Sequence, residues 1–505
     1  MQLALSAGLI LAIVAWGVLS PASLGAFFDT SLTTISRNFG WFYLWVVLAL
    51  VLFALFLAFS RYGELKLGNE DDEPEFSLRA WFSMLFAAGM GIGLVFWGVA
   101  EPISHYAAAP PGISAGTPEA ANAAMRYSFF HWGLHPWAVY SVVALAIAFF
   151  HYRRGSKALV SESVHALPWR PLQRLSALFN VLAVIATAFG VAASLGMGAL
   201  QINSGLQAVF GLPVGETAQV TIIVVTTMLF ITSAVTGVAR GIKWLSGLNM
   251  IIAAALALAV FVVGPTITIV DTFTNTLGSY LSDFVRMSLR MTPFRESSWV
   301  GSWTVFYWAW WIAWSPFVGL FIARVSHGRT IREFVLGTVL APSLAAFLWF
   351  AIFGGTALHL QIWQGLPIAE AVKADVSTAL FTLFEAMPWS RVLSVVATVL
   401  VLLFFVTSGD SATLVLGMMS TGGHPNPSAL VKITWGVLVA GIAITLLLAG
   451  GLKAVQTATI VFALPFTAVI LLMVVSLWRA IRADWAAEQR RERELRRLVR
   501  QMTSK

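Results

Sequence analysis

The chain has 505 residues, of which 58% are hydrophobic and 11% charged, with a mean hydropathy of +0.82 and a formal net charge of +8. Apolar runs of about twenty residues recur from end to end, which excludes a soluble globular domain and points to an all-α polytopic membrane protein. Cysteine is absent, so the sequence holds no disulfide or thiolate metal site, and the surplus Lys and Arg lies in loops and the tail, where it reads as membrane topology rather than nucleic-acid binding.

In chain order, twelve transmembrane helices are predicted, at about 2–21, 40–60, 79–101, 128–150, 174–206, 217–237, 244–271, 301–325, 334–357, 388–420, 430–450 and 453–478. Each is long enough to cross a hydrocarbon core of about 30 Å. Met1 to Pro21 has no Lys or Arg before its apolar run, so it reads as a first span and not as a cleaved signal peptide. With the N-terminus inside, the inner segments carry 23 of the 31 Lys and Arg, so both termini are expected in the cytoplasm of a bacterial inner membrane. The acidic run Glu70–Glu75 lies in an inner loop against this bias, but acidic residues count little in it. Segment 272–300 is too polar to span. Its apolar residues, from Phe273 through Tyr280 to Met291, recur at helical spacing and predict an amphipathic helix at the periplasmic interface. The tail, 479–505, has nine Lys and Arg against four Asp and Glu and reads as a basic helix, either a solvated anchor or a sensor of anionic lipid or of a neighbouring subunit.

The third span contains Gly89-Met-Gly-Ile-Gly93. Alternating glycines favour an unwound span near mid-membrane over close packing of small residues, and such breaks hold ions and substrate groups in secondary transporters. In the fourth span, Trp132, Trp137 and Tyr140 are spaced to face one cavity. His131 and His135 stand at i, i+4, but no carboxylate or Cys lies near them in sequence, so interfacial hydrogen bonding is favoured over metal binding. The eighth span carries Trp303, Trp308, Trp310, Trp311 and Trp314. Tyr307, Trp311 and Trp314 share one face, Trp310, Trp314 and Phe317 the next, and Pro316 is expected to break the helix below them. Two broken spans five apart, running in opposite directions, fit an inverted repeat of spans three to seven against eight to twelve. An aromatic-lined cavity suits a quaternary ammonium ion, which has no N–H to donate and is held by cation–π attraction.

The tenth span has Thr407 and Ser408 ahead of Asp410. Their oxygens suit a hard monovalent cation, though taken alone they are better explained by hydroxyl back-bonding to the helix. Glu101 precedes Pro102 at the outer end of the third span and is expected to pair with a loop residue such as Arg126, or to gate. The ionisable groups look scattered, which argues against an enzyme, and the spans are too apolar for a channel.

These stretches together resemble the betaine–carnitine–choline transporter family. The resemblance rests on Gly301-Ser-Trp-Thr-Val-Phe-Tyr-Trp-Ala-Trp-Trp311, Gly89–Gly93, the Trp132, Trp137 and Tyr140 spacing, Thr407-Ser-Gly-Asp-Ser411, Glu73–Ser77 and Ser326–Glu333. It covers residues from about 2 to 480. It implies a LeuT-like fold, with two extra helices in 1–60, one five-helix repeat in 79–271, the interfacial helix in 272–300, the second repeat in 301–478 and the tail beyond, usually as a homotrimer in lipid. It implies symport of a zwitterionic or cationic solute with Na+, glycine betaine foremost. Ectoine, proline or dimethylsulfoniopropionate are alternatives, as is a proton-coupled or exchange carrier of choline or carnitine. Trp132, Trp137, Tyr140 and Trp311 would box the trimethylammonium, with Gly89, Gly91 and Gly93 at the carboxylate and Trp310 and Trp314 along the path. One Na+ would meet Ala87, Met90, Phe404, Thr407 and Ser408, and a second Thr187, Tyr140 and Phe317. Val191 offers no ligand where similar sodium-coupled carriers have a second Thr, and Gly93 stands where choline-type members tend to carry Asp.

Overall fold

The computed structural model describes residues 2–89, 91–236, 239–294 and 298–503. Every regular element among them is helical, apart from one isolated bridge between Lys66 and Thr330. Ten of these helical runs are long and apolar enough to cross a membrane, so the chain is a multi-pass membrane protein.

Helices α1 (Gln2–Leu19) and α2 (Pro21–Phe59) are divided by Ser20 and Pro21. Pro21 stands at the start of α2, where no amide donor is needed. No breaker follows before Phe59, so the loop expected over 22–39 is helical instead. The third span is split into α3 (Leu78–Gly89) and α4 (Ile92–Ala107). The fourth is also split, into α5 (Pro118–Trp132) and α6 (Leu134–Ala148), a break the sequence reading does not include. Gly133 makes it: a Cβ there would lie 2.5 Å from both the Phe129 carbonyl oxygen and a Phe347 ring carbon.

The short α7 (Arg170–Arg174) leads to α8 (Ser176–Phe210), α9 (Glu216–Thr236) and α10 (Ala239–Val263). The helix predicted over 272–300 begins earlier and ends sooner, as α11 (Thr266–Ser282) and a short α12 (Phe284–Ser288). Phe273 and Tyr280 of α11 pack on Phe129 and Phe347. A π-helical turn at Gly301–Val305 opens α13 (Phe306–Arg324). Pro316 does not break α13. Proline cannot supply the amide that Ile312 would receive, but the Ser315 hydroxyl donates to the Ile312 carbonyl at 2.7 Å and keeps the ladder satisfied.

Helix α14 (Ile331–Trp363) starts on a capping box of Thr330 and Glu333. After α15 (Ile368–Ala374) and α16 (Ala379–Glu385) come α17 (Ser390–Ser420) and α18 (Ala429–Thr503). Within α18 the backbone leaves the helix at Gly450 and Gly451, so two helices meet there and the second runs on into the tail.

Helix α13 lies at the centre, against α6, α8 and α18. Inside a membrane, lipid is as apolar as the packed residues, so close fit and ring geometry hold helices together rather than water exclusion. Gly319 gives such an approach: a Cβ there would meet Val143 of α6 at 3.0 Å. The Arg-rich end is tied by loops. Leu67 and Arg329 pair backbone to backbone at 2.8 Å, and the Arg329 guanidinium lies 4.1 Å above the Trp81 ring. The tail is docked there. Arg153 reaches Asp484 at 3.1 Å and also Glu488, Arg154 meets Asp484, and Trp485 packs on Tyr62.

Candidate functional site

Four aromatic side chains from three helices meet next to the break between α3 and α4. Trp132 ends α5, Trp137 and Tyr140 lie on α6, and Trp311 lies on α13. Trp132 stands edge-on to Trp311 at 4.8 Å and 76°, Tyr140 edge-on to Trp311 at 6.1 Å and 82°, and Trp137 edge-on to Tyr140 at 5.5 Å and 81°. All four are at least 93% buried. Edge-on contacts are an ordinary packing of aromatic side chains, and rings turned at these angles also present π faces in several directions, which suits a cation. The Gly133 break places Trp132 and Trp137 on separate helices, so a single-helix face does not explain how they meet.

The glycines have distinct parts. Gly91 precedes α4 with extended backbone, and a Cβ added there would meet nothing within 4 Å. The first amides of α4 have no acceptor within the helix and carry its positive dipole end. Gly93 faces the rings: a Cβ would come within 2.5 Å of Trp310 and 3.1 Å of Trp132. An Asp at 93 therefore has no room, because the Trp310 ring fills that space. Gly89 ends α3, and Met90 lies outside the described residues.

Trp310 stacks on Trp311 at 4.8 Å and 14°, and Trp314 stands over Phe317 at 5.4 Å. The indole N–H groups of Trp310 and Trp314 are buried with no acceptor among the described residues. Further along α13, Gly190 of α8 admits Trp314, since a Cβ there would come to 2.8 Å.

The hydroxyls form two places. On α17, Thr407 donates to the Leu403 and Phe404 carbonyls at 2.9 and 3.3 Å and accepts from Asn249 of α10 at 3.1 Å. Ser408 follows it in the same helix. The Asn249 carbonyl oxygen is buried without a partner among the described residues. Asn249 escapes sequence reasoning because nothing in its own helix marks it. On α8, the Thr187 hydroxyl is buried and likewise unpartnered, and Val191 one turn on is buried and offers no oxygen. Ala87 lies in the last turn of α3. Asp410 lies within α17. The helix continues through it, and one carboxylate oxygen is buried without a partner among the described residues.

The largest departure from the sequence reading is at Glu101. It does not pair with Arg126, which binds Asp283 at 2.7 Å. Glu101 is fully buried, and its carboxylate takes four contacts. His131 Nδ1 lies 2.6 Å and His105 Nε2 3.2 Å from Oε1, and Trp132 Nε1 and Tyr307 OH donate to Oε2 at 2.8 and 2.5 Å. His131 and His135 are buried in the protein and do not form a pair: His135 Nε2 faces the Ser288 hydroxyl of α12 at 2.8 Å. The ionisable groups of this region are gathered, not scattered. The ligand atoms of Glu101, His105 and His131 lie within 4.8 Å of one another. The 2.6 Å separation is a hydrogen bond, however, and an ion at about 2.0–2.1 Å from each ligand would hold the two atoms farther apart. No local motif could have shown the cluster, since its members stand as far as 206 positions apart in sequence.

A family model described as betaine/carnitine/choline family transporter matches residues 2–486. The chain is 48% identical over 484 residues to the glycine betaine transporter OpuD of Bacillus subtilis, covering 95% of this chain and 93% of that one. It is 45% identical to an ectoine/hydroxyectoine transporter of Virgibacillus pantothenticus, over 96% of this chain and 97% of that one. It is 39% identical to the betaine/ectoine transporter LcoP of Corynebacterium glutamicum, over 96% of this chain and 78% of that one. With a matched family model over nearly its whole length and relatives this similar, the chain belongs to the betaine/carnitine/choline family of transporters and is not an enzyme.

Proposed function

We propose that the protein is a Na+-coupled symporter that imports a quaternary-ammonium compatible solute, glycine betaine foremost, by alternating access. The observation that carries this reading is the buried set of rings in which Trp132 and Tyr140 each stand edge-on to Trp311, with Trp137 edge-on to Tyr140. A trimethylammonium group offers no hydrogen-bond donor, and each aromatic face contributes about 0.5–2 kcal/mol to holding it. The solute's carboxylate is placed at the first amides of α4, beside Gly91 and Gly93. Trp310 and Trp314 line the route away from this site.

The oxygen atoms present suit Na+. Thr407, Ser408 and the carbonyls of Phe404 and Ala87 are hard donors, and the unpartnered oxygens of Asn249 and Thr187 are buried groups that a cation would satisfy. Bound Na+ supplies the ion gradient and about 2.3 kcal/mol per charge for 100 mV of membrane potential. With Val191 apolar, the ligands Thr187, Tyr140 and Phe317 make a thinner second set, and a single Na+ at Thr407 is the reading adopted.

In this reading twelve spans form two extra helices and two inverted five-helix repeats. The split α3 and α4 count as one span, and the two parts of α18 as two. The Arg-rich end, with both termini, faces the cytoplasm of a bacterial inner membrane, and three copies assemble. Ectoine is the second substrate to test, because relatives named for ectoine align with 96% of this chain at 39–45% identity. The test is uptake of radiolabelled glycine betaine, ectoine, choline and carnitine into proteoliposomes with Na+ or K+ outside. Betaine uptake that requires Na+ is expected, and uptake indifferent to the exchange of Na+ for K+ rules out the coupling.

A further inference from the structure

The aromatic cage contains no anion, yet a buried carboxylate stands directly behind it. We propose that Glu101 is a positioning residue for the cage: its negative charge orients two cage faces, Trp132 through a direct hydrogen bond that also makes the indole electron-rich, and Trp311 through Tyr307 and His131. This rests on the substrate reading above and deepens it.

Three observations converge. First, Trp132 Nε1 donates to Glu101 Oε2 at 2.8 Å. Charge-assisted bonds of this kind are stronger and more directional than neutral ones, so the indole plane is fixed. A donor hydrogen pulled toward an anion also leaves the ring richer in electrons, which strengthens attraction for a cation on its face. Second, the same carboxylate oxygen accepts from Tyr307, whose ring stacks on Trp311 at 5.9 Å and 21°. Third, His131 binds the other oxygen through Nδ1, while its backbone carbonyl accepts the Trp311 indole N–H at 2.9 Å. Glu101 therefore reaches Trp132 directly and Trp311 by two routes.

Two further contacts border the cluster. His131 Nε2 faces the Thr304 hydroxyl at 3.0 Å, and His105 lies against Trp303. A carboxylate only accepts, so both ring nitrogens facing Oε1 carry hydrogens. Every donor aimed at Glu101 belongs to α4, α5 or α13, the helices that build or border the cage. A glutamine in its place presents an amide N–H to two of these donors, and whichever oxygen it replaces loses its acceptor role.

The test is a double-mutant cycle on the full-length protein, Glu101→Gln against Trp132→Phe. The readout is the Kd for glycine betaine by calorimetry in detergent at fixed Na+, with monodisperse elution checked for each variant. Glu101→Gln is expected to raise Kd about tenfold in the native background and only about threefold in the Trp132→Phe background, where the routes to Trp311 alone remain. Equal losses in both backgrounds overturn the proposal, because a merely structural role does not depend on the indole. Glu101→Asp keeps the charge and is expected to stay within about threefold of the native Kd. A loss as large as that of the amide variant, or a tenfold loss where the amide variant fails to fold, equally overturns it. Native protein that binds none of glycine betaine, choline or ectoine sinks the substrate reading itself. Native binding of any of these with a flat cycle sinks only the role given to Glu101.

Discussion

Two of the protein's charge clusters are built in opposite ways. At Glu101, one fully buried carboxylate is met by four donors from α4, α5 and α13, and both of its oxygens are occupied. At the Arg-rich end, Arg153 is shared among Glu70, Asp484 and Glu488, all within reach of water. A buried unpaired charge costs several kcal/mol, so both oxygens of this carboxylate are met by donors. At the face, water replaces any partner, so contacts there respond to salt and pH. The first cluster is suited to holding a binding site in shape, the second to letting a helix come and go.

The comparison breaks first at the cage. Trp311→Leu removes a cage face and the donor to the His131 carbonyl. Glycine betaine binding is expected to weaken by at least about thirtyfold while the protein remains monodisperse, and an unchanged Kd in calorimetry refutes the cage. Next comes Gly93→Ala. Its methyl would lie 2.5 Å from Trp310, so overpacking of about 1–3 kcal/mol is expected as a lower midpoint of thermal unfolding in detergent. A midpoint equal to that of the native protein shows the rings to be looser than their packing indicates.

Thr407→Val tests the hydroxyl set. It removes the acceptor for Asn249 and one hard oxygen. The Na+ concentration for half-maximal uptake should rise several-fold with betaine affinity at saturating Na+ little changed, and an unshifted Na+ dependence removes Thr407 from the ion site.

The Arg-rich end should respond more gently. Its ion pairs are partly exposed and contribute about 0–1 kcal/mol each. Arg153→Ala should expose the tail beyond Arg479 to trypsin while leaving the betaine Kd within about twofold, and a large loss of binding would show the two clusters to be coupled. pH gives the finest test. Burial, with the neighbouring Glu70 carboxyl adding to it, pushes Glu488 up to about 7 against the opposing pull of Arg153. An acid whose pKa rises on docking favours the docked state at low pH and loses that contribution as pH climbs through the docked value. Trypsin protection of the tail should therefore decline between about pH 5 and 8, and constant protection across that window would contradict it.

Much of the architecture was legible before any coordinate. Apolar runs of membrane length and the Lys and Arg bias are local properties, read by counting. The break near Gly91 was legible because alternating glycines have one strong local meaning. Pro316 was misread for want of Ser315's hydroxyl, which satisfies the freed carbonyl within a single turn. The break at Gly133 was missed because its cause, the ring of Phe347, is distant in sequence.

Sequence by itself determined that this is a polytopic helical membrane protein with aromatics enough for a cation site, because hydrophobicity, helix length and residue type are written residue by residue. It also named Trp132, Trp137, Tyr140 and Trp311 as a group, on spacing and resemblance. Only the tertiary structure decided which donors surround Glu101, that Asn249 stands beside Thr407, and that the tail rests on Arg153 and Arg154. Those facts depend on side chains brought together from helices far apart along the chain. A buried polar group must find its partners wherever packing places them, and no local pattern in the sequence records that choice.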